Sequence, residues 1–76
     1  MNKTRRKALA DLAMEIDAIR PAIEELQCEE QDFLDNMPEA MQEGEKGQAV
    51  QAAVDALEAA VCSLDDAVRG LGEAAA

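Results

Sequence analysis

The sequence predicts an all-α fold: an antiparallel two-helix coiled-coil hairpin with a short helical turn in its link, dimerising into a four-helix bundle. Three observations carry this expectation. In the second half, Val50, Val54, Leu57, Val61, Leu64, Val68 and Leu71 step alternately by four and three residues. That is the spacing of a helix made to lie along another helix. In the first half, Leu9, Leu12, Ile16, Ile19, Ile23, Leu26, Glu30, Phe33 and Met37 step the same way, with Glu30 the one polar intruder. Between the two stripes, Asn36-Met37-Pro38-Glu39 breaks the pattern, because proline disfavours helix in the residue before it.

In heptad letters a to g, the first helix carries Leu9, Ile16, Ile23, Glu30 and Met37 at a, and Leu12, Ile19, Leu26 and Phe33 at d. It is expected over about 3–35. Pro21 falls inside it, at f, where a kink bends the outer face and spares the stripe; a break at Arg20–Pro21 is the competing reading. The link is expected over about 36–45, with Pro38 to Gln42 as one helical turn, since proline suits the first turn of a helix. The second helix is expected over about 46–70, with Val at a and mostly Leu at d. Gly70 and Gly72 then leave 71–76 as a frayed tail. The whole of 1–76 is a single hairpin.

An antiparallel register pairs Leu12 with Val68, Ile16 with Leu64, Ile19 with Val61, Ile23 with Leu57 and Leu26 with Val54. It sets Phe33, the only aromatic, opposite Gly47, and Glu30 near Lys46. A neighbouring register needs the turn centre shifted toward Gly44. The g positions of the second helix are alanines, among them Ala53, Ala60 and Ala67. They widen its stripe to three positions per heptad, as in a bundle helix. Those three are the expected oligomer face, and a dimer is the favoured assembly, since a chain this short buries a modest core on its own.

Charge is distributed unevenly. Lys3, Arg5, Arg6 and Lys7 are four of the seven basic residues, so Ala8 to Ala76 holds 17 acids against three bases, a net of −14. Such a body repels nucleic acid and membrane surfaces and attracts basic protein surfaces. Direct nucleic-acid binding and membrane insertion are therefore not expected. The basic head is read first as a helix start lying beside the end of the second helix, and second as a contact for phosphate or an acidic partner.

The chain has no His, Trp or Tyr, and no Gly-rich phosphate loop. Carboxylate metal centres in bundles add histidines to inward-facing acids, and here only Glu30 faces the seam. Glu29, Glu30 and Asp32 lack the glycine and terminal glutamate of a calcium loop. Cys28 and Cys62 match no zinc spacing, and the register separates them along the hairpin, which argues against an intrachain disulfide. No catalytic residue, cofactor or metal is expected, and the chain is read as a non-enzyme. The absence of a signal-peptide core or a membrane-length apolar run places it in the cytoplasm.

The run from Glu29 to Gly47, with its Asp35-Asn36-Met37-Pro38-Glu39 turn ending at Gln42, follows a start of Met1-Asn2-Lys3-Thr4-Arg5-Arg6-Lys7. In these it resembles a group of small acidic helical proteins of phages, prophages and bacterial mobile elements. The resemblance covers most of the chain and is most specific at the turn. It implies a mobile-element accessory protein in the bacterial host cytoplasm, and it carries over no functional residues.

The leading functional expectation is a phage-type protein that acts by protein–protein binding. One form inhibits a host nucleic-acid-binding or defence enzyme through an acidic, phosphate-mimicking surface. The acids expected to carry it are Asp17, Glu24, Glu25 and Asp32 on the first helix and Asp55, Glu58, Asp65 and Asp66 on the second. The alternatives are a self-assembling structural or scaffolding element working through Ala53, Ala60 and Ala67, and a small-ligand sponge formed by an oligomer.

Overall fold

A computed structural model describes residues 2–76. Two long helices, α1 (Lys3–Asp35) and α3 (Glu45–Ala75), pack against each other as a hairpin, with the single turn α2 (Glu39–Gln42) in the link. The molecule is a rod of 58 × 15 × 12 Å.

The start of α1 has no acid in its first turn, and its basic residues oppose the helix dipole. Asn2 offsets this by capping: its side-chain oxygen accepts the Arg5 N–H at 2.8 Å. The helix runs unbroken through Pro21, which is exposed at f. At its end the Asn36 N–H donates to the Asp32 carbonyl at 3.0 Å. Pro38 then opens α2, and Gly44 caps α3 with extended backbone and no side-chain bond. The expected tail after Gly70 is instead helical, and α3 continues through both late glycines to Ala75. A Cβ added at Gly70 or Gly72 would meet no atom within 4 Å. Each costs only its intrinsic helix penalty there, which the alanines around them offset.

The core sits at the link end. Leu34, Met37, Val50 and Val54 are the buried apolar residues, and Leu34, Met37 and Val50 form one cluster. On α3 the seam is the predicted one, since its Val and Leu stripe is buried or half-buried along its length.

On α1 the seam is rotated from its expected place. The residues turned inward are a and e positions: Leu9, Ala13, Ile16, Arg20, Ile23, Gln27, Glu30 and Leu34. The d residues expected in the layers lie outside them, with Leu12 at 48%, Ile19 at 52%, Leu26 at 54% and Phe33 at 49% exposure. Successive residues turn by about 100°, so d lies roughly 60° to one side of a, and e about 40° to the other. Packing Leu34 (e) with Met37 (a) against Val50 selects the e side and leaves d uncovered.

The register also differs from the expected one. Arg20 forms an ion pair with Asp65 rather than lying opposite Ala60, and Met37 clusters with Val50 rather than lying opposite Glu43. The slide amounts to between one and two helical turns and puts the turn centre near Gly44. Phe33 consequently does not fill the space at Gly47. A Cβ on Gly47 would lie 2.2 Å from the Gln42 carbonyl oxygen, so that glycine makes room for the end of α2. Gln42 is held there by its side-chain amide, which donates to the Met37 carbonyl at 2.9 Å.

Candidate interaction surfaces

The rotation of α1 gives the hairpin two unlike sides. The e side is polar. Arg20 is drawn half-buried into the seam and bridges Asp17, one turn away at 2.8 Å, to Asp65 on α3. Its Nε is a buried polar atom with no hydrogen-bond partner, and both carboxylates are met by one outer guanidinium nitrogen, Nη2. Further toward the link, Glu24, Gln27, Cys28, Gln31, Glu58, Val61 and Cys62 line an open cleft of about 430 Å³.

Of the eight predicted acids, this side gathers four: Asp17 and Asp65 on Arg20, Glu24 and Glu58 on the cleft. The remaining four are dispersed over the exposed surface. Asp66 pairs with Arg69 at 3.0 Å, and Asp55 accepts from the Gln51 amide at 2.9 Å. Glu25 and Asp32 point to solvent. Arg20 was overlooked as a site residue because a lone arginine before a proline reads as a helix surface. The signal for its role is that it lies four residues after Ile16, on the flank of the stripe.

Cys28 and Cys62 are free and exposed, and the shifted register brings both to the same cleft, not to opposite stretches of the hairpin. Among the described residues no group of three or more His, Cys, Asp and Glu is placed to hold a metal ion. Nor is any helix among them long and apolar enough to cross a membrane.

The opposite side is apolar. Leu12, Ile19, Leu26 and Phe33 run along α1 as an uncovered ridge. Lys46, at a g position of α3, places its Nζ 5.7 Å from the Phe33 ring centroid, within cation–π range. That contact, and not a Glu30 pair, is where Lys46 lies. It shows that the g row of α3 borders the d row of α1. Ala53, half-buried, and Ala60 and Ala67, exposed, continue the row begun by Lys46. The alanines expected to form the oligomer face are thus the minor half of an apolar side. The larger half is the α1 ridge, which the periodicity had assigned to the seam.

Comparison with protein-family models, with curated proteins and with solved structures finds no match.

Proposed function

We propose that the chain is a non-enzymatic, phage-type accessory protein of the bacterial cytoplasm that acts by binding another protein. Its polar side docks on a basic surface of a host or defence protein, in one form the nucleic-acid groove of a defence enzyme, with carboxylates standing where phosphates would. Two hairpins join into a four-helix bundle as the working unit.

The observation that carries this reading is the convergence of Asp17, Glu24, Glu58 and Asp65 on one side of a body bearing 17 acids in all. Within that set the carboxylates of Asp17 and Asp65 are engaged by Arg20. Glu24 and Glu58 are therefore the groups on offer to a cationic partner. The test is capture of proteins from a bacterial lysate at low and at high salt, with a Glu24→Gln/Glu58→Gln variant alongside. A genuine partner is lost as salt rises and binds the variant at least roughly ten-fold more weakly. Capture indifferent to both refutes the acidic-docking reading.

A second reading, a self-assembling scaffold element, is favoured by the uncovered α1 ridge. It predicts assemblies larger than a dimer in light scattering.

A further inference from the structure

We propose that the apolar side of the hairpin is the seat of a second copy of this chain, docked so that α1 runs antiparallel to the partner's α1 along the Leu12, Ile19, Leu26 and Phe33 ridge. The inference deepens the dimeric reading above and rests on it. Where that reading is silent on the face and direction of pairing, the geometry specifies both.

The first argument is area. The chain exposes 5450 Å² at a mass of 8.1 kDa, whereas a compact monomer of that mass exposes roughly 4500 Å². The excess, on the order of 900 Å², is close to one partner's share, about 800 Å², of a standard stable interface. The elongated shape of the rod accounts for part of this excess, and an apolar part of it lies in one row. Four large side chains in one row are each about half exposed, while among the described residues no large side chain is fully buried. A row of this kind spans roughly 30 Å from Leu12 to Phe33, the length of an ordinary helix-to-helix contact.

The second argument is periodicity. Leu12, Ile19, Leu26 and Phe33 recur every seven positions, and of the exposed large apolar residues only Met14 and Met41 lie off that row. Singly scattered surface leucines need no explanation, but a heptad row does. On α1 the a residues Leu9, Ile16 and Ile23 stand between the e flank, which meets α3, and the d flank, which is about half exposed and is bordered by α3 only along its edge, as at Lys46 and Phe33. A helix that has already packed one flank in its hairpin and still carries an apolar row on the other has a face for a second neighbour.

The third argument is charge, and it sets the direction. Antiparallel pairing about the midpoint of the row sets Leu12 against the partner's Phe33 and Ile19 against the partner's Leu26. One heptad before Leu12 the same row begins with Arg5, amid Lys3, Arg6 and Lys7. The pairing brings this head beside the partner's Asp35, Glu39 and Glu43. Opposite charges then meet at both ends of the interface, and the unfavourable basic start of α1 gains an acidic neighbour. Parallel pairing instead sets basic head on basic head and acidic link on acidic link. The bordering Ala53, Ala60 and Ala67 keep the flank low, so that two helices can approach closely.

The experiment uses the full chain in analytical ultracentrifugation over a wide concentration range, with four substitutions. Ile19→Asp and Leu26→Asp lie in the ridge, outside the hairpin's own seam, and each is expected to weaken the dimer at least roughly 100-fold. In a Cys28→Ser/Cys62→Ser background, Ala22→Cys lies beside the proposed two-fold axis and is expected to form an interchain disulfide on mild oxidation. Ala8→Cys, far from the axis, is expected not to. Should the aspartate variants fail to fold, the cross-link decides, because it leaves the ridge intact. A wild-type dimer that survives both aspartates, or that cross-links through Ala8→Cys and not Ala22→Cys, overturns this face and direction while the dimeric reading stands. A wild-type chain that is monomeric throughout overturns both.

Discussion

Replacing Gly47 by alanine tests how the link is packed on α3. In a helix interior alanine is favoured over glycine by about 1 kcal/mol, and Gly47 lies within α3. Propensity alone therefore predicts stabilisation. The surroundings predict the reverse. The new Cβ would lie 2.2 Å from the Gln42 carbonyl oxygen, 2.5 Å from its carbon and 2.6 Å from its Cα. These are backbone atoms and cannot rotate away. To reach ordinary contact at 3.4 Å, the end of α2 must move by more than 1 Å, against the hydrogen bond from the Gln42 amide to the Met37 carbonyl and beside the Leu34, Met37 and Val50 cluster. Overpacking of this kind typically costs about 1–3 kcal/mol, and the upper end applies where backbone must shift. After the propensity gain, a net loss of about 2 kcal/mol is expected. Gly70→Ala and Gly72→Ala serve as controls, since neither new Cβ meets an atom within 4 Å. Each should stabilise by roughly 0.5–1 kcal/mol. Urea unfolding followed by far-ultraviolet circular dichroism reads all three, at one fixed protomer concentration because association shifts apparent stability. A Gly47→Ala variant as stable as the parent would refute the placement of α2 against α3.

Three further outcomes follow from the same geometry. Arg20→Met leaves Asp65 half-buried without its cation and should cost roughly 0.5–1 kcal/mol, while adding Asp65→Leu should recover the loss or exceed it; urea unfolding of the pair checks this, and a double variant weaker than the single contradicts it. Gly44→Ser supplies the missing cap oxygen at the start of α3, where a Cβ has room, and should raise stability by a few tenths of a kcal/mol. Cys28 and Cys62 are both exposed, so a maleimide should label each in the native protein at the rate of a free thiol; labelling that requires denaturant would count against the cleft as described.

Much of the fold was legible in the sequence because helical periodicity is local. The α3 stripe, the Pro38 turn, the tolerance of Pro21 at f and the extent of α1 all follow from residues within a turn or two of each other. The polar side was half legible. Each acid could be placed off the seam by counting, but counting could not say that Asp17, Glu24, Glu58 and Asp65 would converge while Glu25, Asp32, Asp55 and Asp66 would not. That convergence depends on register, and a slide by a heptad preserves the match of apolar stripes, so the stripes alone cannot choose between the two registers. The cysteines were misplaced for the same reason.

By itself, then, the sequence determined two amphipathic helices, their turn and an acidic exterior, because these depend on backbone preferences and on neighbours along one helix. Only the tertiary structure decided which flank of α1 meets α3. The a residues of α1 are bordered by d on one side and e on the other, and either flank closes a hairpin. The choice fell to a few contacts at the link, where Leu34 and Met37 pack on Val50 and α2 fits against Gly47. Closing the seam on the e flank drew Arg20 inward to Asp65 and turned Leu12, Ile19, Leu26 and Phe33 outward.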